Sequence, residues 1–553
     1  MEWHTYYLIP IIYLIAMIVI GVMVSGKQDS RADFYVADNK MNSAVLFSTV
    51  LATVVGANTY MGFSGLVYTG GFSLIWMLVA ASTSYFVLFF ISGRIRKIAE
   101  HYEVFTLPDL MAERYNRPVA TLTTFCSLIA LIGSAGGSIL GIGMILNTIL
   151  GINPIVAIVV TAAITITYTT FGGLMGVALT DWAQTIIMLI GLILVILFGF
   201  QAMDPGSSVF SASLNGGELL KGVLGTEFMS TTETVTFMLV IGWVITFMPL
   251  NTVSQTQIQR IYSAKSVKSI QRISLLVALF MGVSMAFGLT LIGGIGKSLL
   301  PDLANPETIL PVLSMEIINP WIGMIIVTGI LGACMSTIDS NLLGAGIHVT
   351  RDLYEHRLKR KGLPIDDKKT IRLTRWTLVI IGAFSTVAAI LTPSIMGLLL
   401  FTLKIFAGAT FVPIMLGLFW PKANSYGAMA GIIGGGVTTI LCSIMQTSID
   451  PVILGLIVSL AGTLLFSLLF KEEGDKGQKF LFKTVTKKDY GIFAGSVVIY
   501  AAFMISINFI NMWPLLIACS LIGLCVGVIA LFAFVMPKKK EKVTVTELEN
   551  QSN

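Results

Sequence analysis

The chain has 553 residues, of which 55% are hydrophobic and only 12% charged, against roughly 25% charged in an average soluble domain. This balance excludes a soluble globular protein, a disordered chain, a disulfide scaffold and a collagen-like rod, and leaves a multispanning membrane protein. The formal charge of +6 does not by itself point to nucleic acid, because the placement of the basic residues decides what it means.

A spanning helix needs about 20 apolar residues to cross a hydrocarbon core about 30 Å thick. In chain order the sequence predicts fifteen spans: 7–25, 43–67, 73–93, 121–148, 154–172, 180–202, 234–252, 273–296, 320–349, 376–391, 395–419, 425–446, 452–470, 490–508 and 512–536. The first reads as a span rather than a signal peptide, since Met1-Glu-Trp-His4 carries no positive charge and no small-residue cleavage site is obvious. With the N-terminus outside and sides alternating, 32 of the 35 basic residues face the cytoplasm. Lys221 and Lys297 fall outside, and Lys404 lies within a span. This sorting obeys the positive-inside rule, so the basic residues mark the cytoplasmic face of a cell membrane and not a nucleic-acid surface. The predicted tail, 537–553, is cytoplasmic.

Three classes of membrane protein compete. Haem or zinc chemistry needs histidine or cysteine ligands in the bilayer. The chain has four histidines, none mid-membrane, and five cysteines scattered without paired spacing. A channel usually repeats a few spans around a symmetric pore, which fifteen unlike spans do not resemble. A large bundle with few intramembrane charges fits a secondary transporter, whose sites lie in interrupted helices at matched positions of inverted repeats.

Two spans read as interrupted. The second has Gly56, Ala57 and Asn58 near its middle, and the seventh runs Gly242 to Asn251 through Pro249. They are five spans apart, and an odd offset inverts the second copy. Residues 43–202 and 234–419 are therefore expected to be two inverted five-helix repeats. Residues 1–42 precede them as an extra helix and loop, 203–233 join them as an extracellular loop, and 420–536 follow as peripheral helices. Breaks free backbone carbonyls, which suit a hard cation.

In the ninth span Ala333, Ser336, Thr337 and Ser340 share one helical face by their i, i+3, i+4, i+7 spacing. Such hydroxyls can simply bond back to their own helix. Asp339 lies beside them, and a carboxylate inside a membrane must pair, protonate or bind a cation. Asp181, at the cytoplasmic end of the sixth span, is the other acid inside the predicted spans; it can also sit there as a residue favoured by the helix dipole.

With these residues in view the chain resembles the sodium:solute symporter family, a family with the LeuT-type inverted-repeat fold. The likeness rests on Ala333-x-x-Ser336-Thr337, on Tyr168 to Asp181 with Gly172-Gly173, on Gln259-Arg260 with Ala264-Lys265-Ser266, and on Thr106 to Asp109 with Arg114-Tyr115. It runs from about residue 5 to 470 and departs at Gly176, where the family often has Ser, Ala or Pro. The resemblance implies an all-α fold, sodium as the co-transported ion and no organic cofactor. It implies a sodium site made of the carbonyls of Ala52, Val55 and Ala333 and the hydroxyls of Ser336 and Thr337. A second cation site, present in some relatives, would use Asp181, Ser336, Asp339 and Ser340. An acid at 339 leaves proton coupling open.

The implied solute pocket draws on Asn58, Thr59, Ser82, Thr83, Ser84, Thr246 and Lys404. Lys404, about ten residues into a span, reads either as a counter-charge for a solute carboxylate or as a lysine that snorkels or pairs with an acid. The expected solute is a small organic anion, such as pantothenate or a monocarboxylate, or an amino acid. Gly296 to Asp302 and the Gly-Gly passage are most similar to pantothenate-type members. Val54, where proline-type members usually carry an acid, counts against proline. Beyond the solute and membrane lipid, no obligate protein partner is expected.

Overall fold

The computed structural model describes residues 5–25, 30–39, 41–231, 235–392, 394–470, 477, 480, 482, 484–509 and 512–533. The predicted tail lies outside the described residues, as do residues 1–4.

Apolar runs closed by polar caps set the elements, and the long helices are numbered here in chain order. They are α1 (Leu8–Ser25), α2 (Ser43–Val54), α3 (Phe63–Gly70), α4 (Ile75–Ala99), α5 (Leu107–Arg114), α6 (Arg117–Leu150) and α7 (Pro154–Met203). There follow α8 (Phe237–Val253), α9 (Gln255–Ser263), α10 (Val267–Leu279), α11 (Pro320–Ile347), α12 (Asp367–Leu391) and α13 (Ile395–Phe419). The last are α14 (Ser425–Ile444), α15 (Pro451–Leu469), α16 (Lys487–Ser506) and α17 (Trp513–Ala533). Asn42, Asn116, Asn153 and Asn319 each accept from a first-turn amide, and α6, α7 and α11 also have Pro at the start. There a missing N–H costs nothing and a side-chain oxygen satisfies an otherwise orphaned donor.

Among the described residues, eleven helices are long and apolar enough to cross a membrane, or up to thirteen if each of two bent pairs is one span. The expected count was fifteen. Two of those spans fall within α7, whose 50 residues include non-helical backbone at Gly173 (φ +54). An unbroken helix of that length would be about 75 Å long, more than twice the hydrocarbon thickness. The left-handed backbone there favours glycine, and it lies in the Gly-Gly passage. The first predicted span corresponds to a shorter apolar helix, Thr5–Gly21.

Burial separates a core from a rim. In the most apolar stretch of α11, 83% of residues are buried, against 22% in α16 and 33% in α17. Helix α11 packs on α7 where Gly329 and Gly191 meet, and a Cβ at 329 would lie 2.8 Å from the Ile187 carbonyl oxygen. Lipid chains are as apolar as side chains, so close backbone approach through small residues holds such helices together.

Basic residues on the predicted cytoplasmic side also close helix ends. Arg114 donates to the carbonyls of Gly417 (2.7 Å) and Ala423 (2.9 Å), and Arg94 to that of Leu418 (2.8 Å). The bonds to Gly417 and Leu418 satisfy carbonyls that the C-terminus of α13 leaves free, and Ala423 lies in the connection to α14. Nearby, Arg351 pairs with Asp109 (2.9 Å) and Glu355 (2.8 Å), and Arg31 bridges Glu355 (2.6 Å) to Asp367 (2.5 Å). Burial alone would raise the Asp109 carboxyl, but Arg351 and His356 outweigh it and hold the group well below its ordinary value. A lowered carboxyl stabilises the fold above the unfolded-state pKa and loses that contribution as pH falls through the folded-state value.

A Cβ at Gly435 in α14 would lie 2.2 Å from the Gly408 carbonyl oxygen and 2.9 Å from that of Gly455. Gly435→Leu is therefore expected to lower the thermal midpoint of the detergent-solubilised protein, with a loss of at least the ~1–3 kcal/mol of an overpacked core. Gly491→Ala, where a Cβ meets nothing within 4 Å, should leave the midpoint unchanged or slightly higher.

Candidate ion and solute site

The first bent pair, Ser43–Val54 with Asn58–Gly70, turns through 57°. Val55 leaves the helix at φ −94, ψ 71, so its carbonyl no longer continues the ladder. The second pair, α8 with α9, bends by 47°. The sequence pointed to residues 242–251 for this interruption, yet Pro249 stays inside α8 and the bend falls at Ser254. Ser254 adopts extended backbone (φ −62, ψ 151) and its hydroxyl caps the Gln257 amide, which starts a new helix. A proline within a membrane helix is tolerated where neighbours satisfy the freed groups.

Helix α11 brings its hydroxyl face to the first break. Ser336 Oγ donates to the carbonyls of Ala52 (3.2 Å) and Ala333 (2.9 Å), and Thr337 Oγ1 to that of Ala333 (3.3 Å). A Cβ at position 56 would come 2.1 Å from Thr337 Oγ1, so Gly56 is what lets the two elements touch. The oxygens of Ala52, Ala333, Ser336 and Thr337 thus converge without a charged group among them. A neutral, all-oxygen set of this kind fits a hard monovalent cation.

A cavity of about 140 Å³ adjoins this set, shares Thr337 with it and is also lined by Gly56. Its polar wall comes from Asn58 and Thr59 at the first break, Ser127 and Ser134 on α6, and Asn341 on α11. Asn251, Ser254, Gln255 and Gln257 complete it at the second break. Of the expected solute-pocket residues, Asn58 and Thr59 are in this wall. Ser82, Thr83, Ser84, Thr246 and Lys404 are not among its lining residues. Ser82 pairs with the Tyr500 hydroxyl at 2.5 Å. Thr83 and Thr246 bond back to the carbonyls of Ala80 (2.6 Å) and Gly242 (2.8 Å), a common use of such hydroxyls. The Ser84 hydroxyl is buried without a partner. Lys404 Nζ reaches Asp450 Oδ2 at 2.8 Å, and the same carboxylate caps the first turn of α15. The lysine has its counter-charge in the protein.

Sequence reasoning missed Gln255, Gln257, Asn251 and Asn341 as cavity residues. The glutamines follow the seventh predicted span and read as loop, whereas the bend folds them back under the cavity.

The proposed second cation set is joined by a residue read from sequence as part of a loop. Arg260, on α9, is fully buried. Its Nη2 lies 2.5 Å from Ser340 Oγ and 3.4 Å from Asp181 Oδ2, and its Nε lies 3.2 Å from Thr49 Oγ1. Thr49 Oγ1 also donates to Asp181 Oδ2. Asp339 stands apart from that guanidinium's bonds: its Oδ2 accepts from the Tyr168 hydroxyl at 3.1 Å, and its Oδ1 is buried without a hydrogen-bond partner among the described residues. Arg260 therefore ties α9 to α2, α7 and α11. On the cytoplasmic side Asp109, Asp352 and His356 bring ligand atoms within 4.8 Å of one another. Asp109 is already held by Arg351 and His356, and Asp352 by His348 (2.6 Å) and Thr106 (2.6 Å), so the cluster is an ion-pair network.

Helices broken inside a bundle, a convergent set of neutral oxygens and a cavity beside it are the architecture of a secondary transporter. A sequence model of the sodium:solute symporter family matches residues 34–435, and the chain belongs to that family. It is a sodium-coupled symporter and a multi-pass membrane protein, not an enzyme. It is 26% identical over 469 residues to the sodium/pantothenate symporter of Escherichia coli K12, covering 82% of this chain and 94% of the relative. It is 27% identical over 447 residues to the sodium/proline symporter of Haemophilus influenzae, covering 77% and 86%. Among solved structures it is similar to a substrate-bound, outward-open Na+-coupled sialic acid symporter, with a TM-score of 0.71 and 21% identity over 85% of this chain and 98% of that one. A nucleobase-cation-symport-1 family transporter gives a TM-score of 0.51 at 14% identity, over 82% and 99% of the two chains. These two likenesses establish the shared LeuT-type fold.

Removing one partner of a buried pair leaves the other charge uncompensated, at about 3–5 kcal/mol. Asp181→Asn is expected to lower the thermal midpoint of the purified protein more than the double variant Asp181→Asn with Arg260→Gln. Equal midpoints for the two would mean that the pair is not coupled.

Proposed function

We propose that the chain carries a small organic solute into the cell across the plasma membrane, N-terminus outside and C-terminus inside, driven by sodium held between α2 and α11. The ion's ligands are the carbonyls of Ala52, Val55 and Ala333 and the hydroxyls of Ser336 and Thr337. The observation that carries this reading is the approach of Ser336 Oγ to the Ala52 carbonyl at 3.2 Å, beside a cavity that shares Thr337 with the ion pocket. Filling the ion site fixes the broken segment that forms the cavity wall, so each ligand raises the affinity for the other. The named relatives move pantothenate and proline, and a solute of that size class is the expected cargo. In this arrangement Arg260 engages Asp181 and Ser340, so a second cation there would have to displace a guanidinium. Membrane lipid is the remaining partner.

Binding of ²²Na⁺ to the purified protein tests the site. Ser336→Ala and Thr337→Ala each remove one hydroxyl ligand, and each is expected to raise the half-saturating sodium concentration at least tenfold, about 1.4 kcal/mol. Wild-type protein that binds no sodium would refute the reading.

A second reading, proton coupling on the same fold, is favoured by the partnerless Oδ1 of buried Asp339, which suits a protonated carboxyl. Sodium-free uptake driven by a pH gradient, lost in Asp339→Asn, would establish it.

A further inference from the structure

The chemistry of the cavity wall narrows the solute. None of its lining residues is Asp, Glu, Lys, Arg or His, and the lysine expected to face a carboxylate is paired with Asp450. What the wall offers instead is amides. Gln255 is 1% exposed, and its Oε1 accepts from the Leu107 backbone N–H at 2.8 Å. A backbone N–H can only donate, so this bond fixes the orientation of the amide and makes Nε2 the free end. That NH2 is buried without a partner among the described residues. Asn251 is fixed the other way: its Nδ2 donates to the Ala81 carbonyl at 3.2 Å, which turns its oxygen away from that carbonyl. Among the described residues Asn58 Oδ1 and Gln257 Oε1 are buried polar atoms without partners as well.

Each such group left unpaired costs about 1–3 kcal/mol. A carboxylate can accept from Gln255 but leaves the amide oxygens facing a second set of lone pairs. An ammonium can donate to those oxygens but leaves the Gln255 NH2 unmet. A group that both donates and accepts satisfies the wall as a whole. From this we infer that the symporter reads its solute through uncharged amide and hydroxyl groups, and that net charge on the solute is not what the cavity recognises. The inference rests on the cavity being the solute site of the proposed symport. Gln255 and Asn251 are its specificity-determining residues, one as donor and one as acceptor.

The test uses the full-length protein in proteoliposomes. Sodium binding is measured first with ²²Na⁺, because its absence counts against sodium symport itself and not against the solute class. Neutral and charged members of matched pairs are then compared for their power to raise sodium affinity and to be taken up: panthenol with pantothenate, lactamide with lactate, and inositol as a polyol. The expected result is that neutral members act at least as strongly as their carboxylate partners, with inward current accompanying their uptake because sodium then moves uncompensated. Carboxylates more than tenfold stronger than their neutral partners, or no neutral solute raising sodium affinity, would overturn the inference. Gln255→Glu keeps the acceptor for Leu107 but replaces the NH2 by oxygen. It is expected to weaken neutral-solute binding at least tenfold while ²²Na⁺ binding persists, and unchanged solute affinity would also overturn it.

Discussion

The structure depends on one constraint: inside a bilayer, every backbone N–H and C=O must find a partner in the protein. Continuous helices meet it automatically, so a break is tolerated only where protein groups or a water-filled cavity take over the freed atoms. Both breaks here obey that rule. At the first, α11 supplies Ser336 to the Ala52 carbonyl; at the second, Ser254 caps the next helix with its own hydroxyl. The cavity lies against both breaks. The proposed ion pocket and solute cavity follow from the way this constraint is satisfied.

The same logic explains Arg260. A guanidinium fully buried among α2, α7, α9 and α11 is stable only with acceptors on several sides, and Asp181, Ser340 and the Thr256 carbonyl provide them. These elements carry both the proposed sodium ligands and the second break. Any movement of α9 relative to α7 must therefore part a buried ion pair, and movement relative to α2 and α11 must part the bonds of Arg260 to Thr49 and Ser340. Lys404 shows the contrasting case: a membrane lysine satisfied locally by Asp450, away from the solute cavity.

Much of this was legible in the residue order. Apolar length gives the spans, and the i, i+3, i+4, i+7 hydroxyl stripe on α11 is a local periodicity that survives folding. Gly56-Ala57-Asn58 marks the first break because a glycine is needed where Thr337 approaches. The second break was harder to place. Pro249 is the louder signal, yet the turn falls at Ser254, where side-chain capping rather than a missing N–H starts the new helix. Gln255, Gln257 and Arg260 looked like loop because polarity along the chain measures distance from the apolar run, not depth in the bundle. The Gly173 kink is a similar case: the residue pattern divides two spans there, but only backbone geometry shows that the division is a single left-handed glycine.

By itself, then, the sequence determined the membrane class, the helical content, the hydroxyl stripe on α11 and the family resemblance, since each follows from composition, short-range spacing or motif. Tertiary structure decided which polar residues meet: Lys404 with Asp450, Arg260 with Asp181 and Ser340, and an uncharged set of amides around the cavity. The physical reason is that buried charges and amides are paired across helices distant in the chain. Hydropathy and periodicity report how deep a residue prefers to lie, but they carry no record of which partner it finds there.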